Sequence, residues 1–278
     1  MQQERTRTPH ARDADALFRV VADLILIAQE EAEKRELGRI VACGVGSGGP
    51  MSKHGRTISP VNIPAWRGFP LLDRLTSLPG MSGKTIAIDN DAKALALAEG
   101  WLGSAKGVRD YLAMVVSTGV GGGIVLDGRL LDGEAGNAGH IGHVIVVPGG
   151  RECGCGARGC LEAEASGRAI EAVTGLPAAD AAPDVIERTG TLVGQAVASV
   201  ANLLDLRLAL VAGSVALGFG IPFFLAAQRE MDRSCRLEHS RGARIAPAGL
   251  GADGPLIGAA AVAWRLLGVS GIPEAVDA

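Results

Sequence analysis

The segment GHVIVVPGGRECGCGARGCLE gathers His143, Cys153, Cys155 and Cys160 into one short stretch, with Glu162 two residues beyond the last cysteine. Three thiolates and one imidazole complete a tetrahedral zinc set. Glycines at 154, 156 and 159 permit the tight backbone that lets closely spaced thiolates converge on one ion. Three of the five cysteines fall within eight positions, so a structural zinc is expected. The alternative is a set of buried or free thiols in a glycine-rich loop. Four protein ligands leave no open position for hydrolytic chemistry, so such an ion would shape the loop rather than activate water.

Asn90-Asp91 lies where a strand meets a helix N-terminus, the end of a strand at which α/β sheets place ligands. A carboxylate there can take the proton of a substrate hydroxyl while the neighbouring amide holds the substrate by hydrogen bonds. The competing role for Asp91 is a plain cap on a helix beginning at Ala92. The run Ser117-Thr118-Gly119-Val120-Gly121-Gly122-Gly123 follows a strand and offers backbone N–H groups to phosphate oxygens. It would serve equally as a close-packed hairpin. Ala212-Gly213-Ser214, after a strand at 207–211, reads alone as an ordinary strand-to-helix turn. A zinc-bound His143 could offer its second ring nitrogen to a hydroxyl. Glu162 would also suit the first turn of a following helix, and both roles are compatible. His140, Gly48-Gly49-Pro50 and Asn62 have structural readings of their own, the last two as turn chemistry.

Apolar positions at 16, 17, 20, 21, 24, 25 and 28 mark a helix with Asp13 or Asp15 as cap, ending near Leu37-Gly38. Strands are expected at Ile40–Val45, Thr85–Ile88, Tyr111–Val116, 207–211 and Arg244–Ala246. A hairpin turns at Asp127-Gly128 within Gly123–Leu131. Helices are expected at Ala92–Leu102, 162–173, 184–204, 220–235 and 255–267. Alternating strands and helices predict an α/β architecture. At 278 residues one large or two medium domains are expected. With 47% hydrophobic but 3% aromatic residues, the core must be built from Ala, Val, Leu and Ile. A net charge of -3 gives no long-range attraction for nucleic acid or anionic membrane. The longest apolar runs, Leu24–Ala28 and Ala259–Ala263, are too short to span a bilayer. The charged N-terminus has no signal-peptide core, and the cysteine usage suits a reducing compartment, so a cytoplasmic protein is expected.

These motifs closely resemble the ROK family of bacterial sugar kinases and related repressors, whose signature joins a GH dipeptide to CxCGxxGCxE. IDNDAKALALAE at 88–99, STGVGGGIVLDGRLLDG at 117–133 and ASGRAI at 165–170 extend the likeness over nearly the whole chain. The resemblance implies an actin-like ATPase (ribonuclease H-like) fold of two lobes. The first, at 1–107, would be a truncated sugar-binding lobe; the second, at 108–278, would carry the zinc loop and nucleotide segments, with the last helix returning to the first lobe. It implies Asp91 as catalytic base, with Gly49, Asn62, Asn90, His140, His143 and Glu162 on the sugar. Ser117, Thr118, Gly119, Gly121 and Gly122 would meet the phosphates of Mg²⁺-ATP, and Gly213 and Ser214 its adenosine. His143, Cys153, Cys155 and Cys160 would hold structural Zn²⁺. The family's glucokinases carry GEIGH; this chain reads GHIGH, similar to N-acetylmannosamine kinases. His140 replaces a permanent acceptor by a group that can donate or accept. The expected reaction is ATP-dependent phosphorylation of a hexose or N-acylated amino sugar, by a homodimer.

One departure stands out. The family's kinases open on a strand with a DxGxT phosphate loop, and no DxGxT occurs in these 278 residues. Loss of that strand would remove phosphate contacts and expose an edge beside Ile40–Val45. The rival readings are a sugar-binding pseudokinase and a ROK regulator. The regulator ranks last, because only one helix precedes the first strand where a helix-turn-helix would be needed.

Overall fold

The computed structural model describes residues 4–6, 13–52, 55–61 and 63–275, with Asn62 outside them. The first helix, α1 (Ala14–Lys34), is capped by Asp13, whose carboxylate accepts the Asp15 N–H. Its buried side, Leu17, Phe18 and Ala22, packs on Trp66, Phe69 and the short helix α2 (Leu71–Thr76). Trp66 and Phe69 stack with ring centroids 4.8 Å apart. The helix ends sooner than expected, because Glu36 and Gly38 take positive φ (53° and 83°) and reverse the chain.

Strand β1 (Ala42–Ser47) pairs in parallel with β2 (Thr85–Asn90), from Ala42 opposite Thr85 to Ser47 opposite Asn90. It begins two residues after the expected Ile40, whose carbonyl is taken by the Lys84 ammonium (3.0 Å) instead of a ladder N–H. Among the described residues the outer edge of β1 is unpaired.

Strand β2 runs straight into α3 (Asp91–Trp101), a helix buried from Ala92 to Gly100. Strands β3 (Tyr111–Val116), β4 (Val120–Leu126) and β5 (Arg129–Leu130) follow as an antiparallel meander. They join β6 (Leu208–Ala212), β7 (Arg244–Pro247) and β8 (Glu274–Ala275) in a mixed sheet of order β7-β6-β3-β4-β5-β8. Helix α3 lies directly on this sheet because β4 is glycine-rich. A Cβ on Gly123 would stand 2.7 Å from Lys93 Cα, and one on Gly121 3.1 Å from Ala92 Cβ. The last helix, α8 (Gly254–Leu266), returns to pack on α3, β1 and β2, as expected. A Cβ on Gly44 would collide with the Ala259 carbonyl.

The opposite face of the large sheet is covered by α4 (Leu161–Ala165), α5 (Gly167–Thr174), α6 (Pro183–Leu204) and α7 (Ser214–Ser234). The layers therefore run α1/α2, small sheet, α3/α8, large sheet, α4–α7. On this face two helices depart from expectation. The single helix at 162–173 is broken at Ser166, which is extended (ψ 160°) and caps α5 by accepting the Ala169 N–H at 3.1 Å. Helix α7 starts at Ser214, well before residue 220, and bends at Gly220 (φ 59°), just ahead of Pro222, which has no N–H to donate.

Buried polar groups tie the layers together. Glu99, fully buried, accepts the N–H groups of Ser104 (2.8 Å), Gly249 (3.1 Å) and Leu250 (3.0 Å). Three satisfied donors make that carboxylate a clasp between α3 and two loops.

Candidate active-site cleft and cysteine loop

The carboxyl ends of β1, β2 and β3 open on a cleft of about 440 Å³. Gly48, Gly49, Pro50, Pro60, Val61 and Ile63 form one wall, and Asn90, Asp91 and Ala92 the floor. Ser117, Thr118, Gly119 and Gly121 stand opposite, with His140, His143 and Glu162 beside them. Most of the residues expected to contact substrate or phosphate are thus brought together, although they come from five separate stretches of chain. Gly122, Gly213 and Ser214 do not line this cleft.

Asn90 caps α3. Its Oδ1 accepts the N–H groups of Ala92 (3.0 Å) and Lys93 (3.4 Å). Capping is therefore the work of Asn90, and Asp91 is the first helical residue, its own carboxylate accepting the Ala92 N–H at 2.8 Å. Asp91 is exposed to solvent on the cleft floor. Burial raises its carboxyl above the ordinary aspartate value, against the opposing effects of the Ala92 N–H and nearby His140. Burial and the neighbouring His143 lower the His140 imidazole, with Glu162 and Asp91 pulling the other way. The two histidine rings stand 6.0 Å apart. A Cβ on Gly49 would lie 3.3 Å from Asn90 Nδ2 and 3.5 Å from His140 Cε1, so glycine keeps this corner open.

The expected phosphate run is shorter as a turn than the sequence suggests. Only 117–119 turn, because Val120–Leu126 pair with β3 as β4. A Cβ on Gly122 would stand 3.0 Å from the Gly139 carbonyl, so this glycine serves packing. Ser117 Oγ is 2.9 Å from Ser214 Oγ, which joins the 117–119 turn to the N-terminus of α7. The N-terminus of α5 closes on the same turn, Gly167 donating to the Ser117 carbonyl at 2.7 Å. Two helix N-termini and a backbone turn therefore converge, an arrangement that favours anionic oxygens. Glu162 lies in the first turn of α4, and its Oε2 accepts the Val120 N–H at 2.9 Å.

Beside the cleft, the ligand atoms of His143, Cys153, Cys155 and Cys160 all lie within 4.8 Å of one another. Cys155 Sγ is 3.7 Å from Cys160 Sγ, and Cys153 Sγ is 3.7 Å from His143 Nδ1. Tetrahedral zinc with Zn–S bonds near 2.3 Å separates its ligand atoms by about 3.6–3.8 Å, so the donor set fits the ion. Nδ1 of His143 faces the thiols, which leaves Nε2 for another partner. Burial, with the nearby Cys155, pushes the Cys160 thiol up to about 12, whereas the Ala157 N–H draws Cys155 below its ordinary value.

The sequence motifs do not reveal the groups that brace this site. Asp89 and Lys93, both buried, and the half-buried Asp132 and Arg265 form an ion cluster under the Asn90-Asp91 corner. Asn137 bonds both backbone groups of Met51, accepting its N–H at 3.3 Å and donating to its carbonyl at 3.0 Å. The pairings span up to 176 positions, so only Lys93, a cation in a helix's first turn, is locally anomalous in sequence. Among the described residues no helix is long and apolar enough to cross a membrane.

Known proteins are similar to this chain in both sequence and fold. The chain is 37% identical over 228 residues to the N-acetylmannosamine kinase of Citrobacter koseri, covering 77% of this chain and 75% of that protein. It is 43% identical over 129 residues to the glucokinase of Thermotoga maritima, covering 46% and 39% of the two chains. The crystal structure of a ROK hexokinase from Thermus thermophilus superposes with a TM-score of 0.79 at 33% identity, covering 95% of this chain and 90% of that one. A ROK glucokinase from Streptomyces griseus, solved with glucose and AMPPNP, gives 0.75 at 28% identity over 93% and 90%. Residues 1–265 match the ROK family itself. With that match spanning the cleft, the cysteine loop and every helix that supports them, this chain belongs to the ROK family.

Proposed function

We propose that the protein is an ATP-dependent sugar kinase, with Asp91 as general base. The observation that carries the reading is the placement of a carboxylate of raised pKa in one cleft with the Ser117–Gly119 turn. Asp91 takes the proton of the sugar hydroxyl as its oxygen attacks the γ-phosphoryl group. Asn90 keeps its Nδ2 for the sugar after Oδ1 has capped α3. His143 Nε2 and the Glu162 carboxylate hold further hydroxyls. Mg²⁺ enters as part of the nucleotide substrate. The phosphates rest on the Ser117–Gly119 turn and the N-termini of α5 and α7, with Gly213 and Ser214 beside the adenosine. Gly121 and Gly122 contribute indirectly, by seating α3 and the 139–141 segment. The zinc held by His143, Cys153, Cys155 and Cys160 fixes the wall that carries two sugar-binding side chains. The chain divides near residue 107 into a first and a second lobe, with α8 belonging to the first.

The sugar proposed is N-acetylmannosamine, in preference to glucose. His140 with a lowered pKa is neutral at pH 7 and can donate as well as accept. Pro60, Val61 and Ile63 supply an apolar wall in the same cleft, which suits an acyl methyl group. Calorimetric titration with both sugars is expected to show tighter binding of N-acetylmannosamine by about tenfold, the discrimination one well-placed contact supplies. Equal or tighter glucose binding would remove the assignment.

The homodimer belongs to the same proposal. Leu217, Ile221 and Leu225 form an exposed apolar stripe along α7, with Ile221 74% accessible. Sedimentation at micromolar concentration is expected to give twice the chain mass, and Ile221→Arg to lower it. A wild-type monomer would refute this assembly.

A further inference from the structure

Beneath Asn90-Asp91 lie four charged side chains from four parts of the chain. Asp89 closes β2, Lys93 stands in the first turn of α3, Asp132 begins the loop after β5, and Arg265 comes from α8. Lys93 Nζ is 3.0 Å from Asp89 Oδ1, 2.6 Å from Asp132 Oδ1 and 3.1 Å from the Gly136 carbonyl. Arg265 Nη2 is 3.2 Å from Asp89 Oδ2, and its Nη1 is 4.0 Å from Asp132 Oδ2. The four formal charges cancel. The Lys93 side chain is only 2% accessible.

This arrangement opposes local preference twice. A buried ammonium is costly to desolvate, and well-packed apolar side chains often serve stability as well or better. A cation in the first helical turn also faces the positive end of the helix dipole. Rules broken next to a site point to a positional role rather than to stability.

The connections show what is positioned. Asp89 Oδ1 also accepts the Asn90 backbone N–H at 2.8 Å, so the cluster holds the main chain of the Asn90-Asp91 pair. Asp132 and Gly136 open the loop that ends at His140. Asn137, in the same loop, grips Met51 next to the Gly49-Pro50 wall. One short loop is therefore pinned under the base at one point and beside the opposite wall at another.

We propose that Lys93 and Asp132 are positioning residues: the ion pair of the buried Lys93 with the half-buried Asp132 locks the 132–140 loop to the N-terminus of α3, and so sets the distance between His140 and Asp91. The inference rests on the kinase reading above and adds residues that act through Asp91 and His140 without touching substrate.

The test compares wild type, Lys93→Met and the charge-balanced double variant Lys93→Met/Asp132→Leu, which keeps the Asp89–Arg265 pair. Each is measured for melting temperature, sugar affinity by calorimetry, and turnover. Lys93→Met is expected to melt lower and to lose about 10²-fold in kcat, the cost of a misplacement near 1 Å, with KM for ATP within about twofold. The double variant should recover its melting temperature but neither kcat nor sugar affinity. Recovery of both by the double variant would show that the cluster serves charge balance alone and overturn the proposal. So would a folded single variant with wild-type affinity and kcat. If Lys93→Met does not fold, the double variant decides. If wild type binds sugar but transfers no phosphoryl group, the kinase reading fails, and sugar affinity across the variants still decides the positioning role. Wild type that binds no sugar overturns both.

Discussion

Replacing Asp91 with asparagine is expected to lower phosphoryl transfer by about 10³-fold, within the range general-base catalysis supplies. Sugar affinity should change little. The asparagine Oδ1 can still accept the Ala92 N–H that Asp91 accepts at 2.8 Å, so α3 keeps its first turn. What disappears is the group that can take a proton. Burial already raises the Asp91 carboxyl above the ordinary aspartate value, which brings its basicity closer to the working pH. As pH falls through that raised value the base becomes protonated and kcat drops. The acid limb of the pH profile should therefore lie above the ordinary value of about 3.9. Turnover by purified wild type and variant, with calorimetry on each, checks both parts. An Asp91→Asn variant that keeps more than about a tenth of wild-type turnover would be too active for a chain deprived of its base, and would reassign the role.

The second large effect concerns the cysteine loop. Wild type is expected to carry one zinc per chain, and Cys160→Ser to lose it along with sugar binding. Cys160 is fully buried and directly precedes α4, the helix that carries Glu162, while His143 belongs to both the metal set and the cleft. Structural zinc contributes roughly 10–16 kcal/mol to folding in small peptides. Here the large sheet and its helices have their own core, so the loss should fall on 143–162 and spare the rest of the fold. Zinc binding displaces thiol protons, and burial holds the Cys160 thiol up at about 12. Metal affinity must then weaken as pH falls, because protons compete for the same sulfurs. Metal analysis, circular dichroism and sugar titration on wild type and variant measure each consequence. Wild-type protein with well under one zinc, unchanged on chelation, would refute the site.

Much of the fold is legible in the amino-acid sequence. Strand Tyr111–Val116 falls where its β-branched and aromatic run predicts, and α6 departs by only one residue at its start. Motif chemistry also singles out the four cysteine-loop residues and the Asn90-Asp91 pair. Such features depend on neighbours in sequence: period, caps, and side chains spaced along one loop. Where a second element decides, the sequence is silent or misleading. Gly121–Gly123 look like a phosphate turn, but they form a strand whose Gly121 and Gly123 give α3 a surface without side chains to lie on, while Gly122 makes room for the 139–141 segment. Ser166 breaks a helix that periodicity would continue, since its hydroxyl satisfies one of the next helix's first donors.

The sequence by itself determined the family, the α/β class and the residue types at the cleft. Only the tertiary structure decided that Asn90 caps α3 while Asp91 stands in the cleft, and that His143 turns Nδ1 to the thiols. It also decided that Lys93, in the first turn of α3, is answered by Asp132, thirty-nine residues on, and that Asp89 is met by Arg265 from the last helix. The physical reason is the range of the forces. Backbone preference and ligand spacing act within a few residues, whereas a buried charge must find its partner wherever packing brings one within about 3–4 Å.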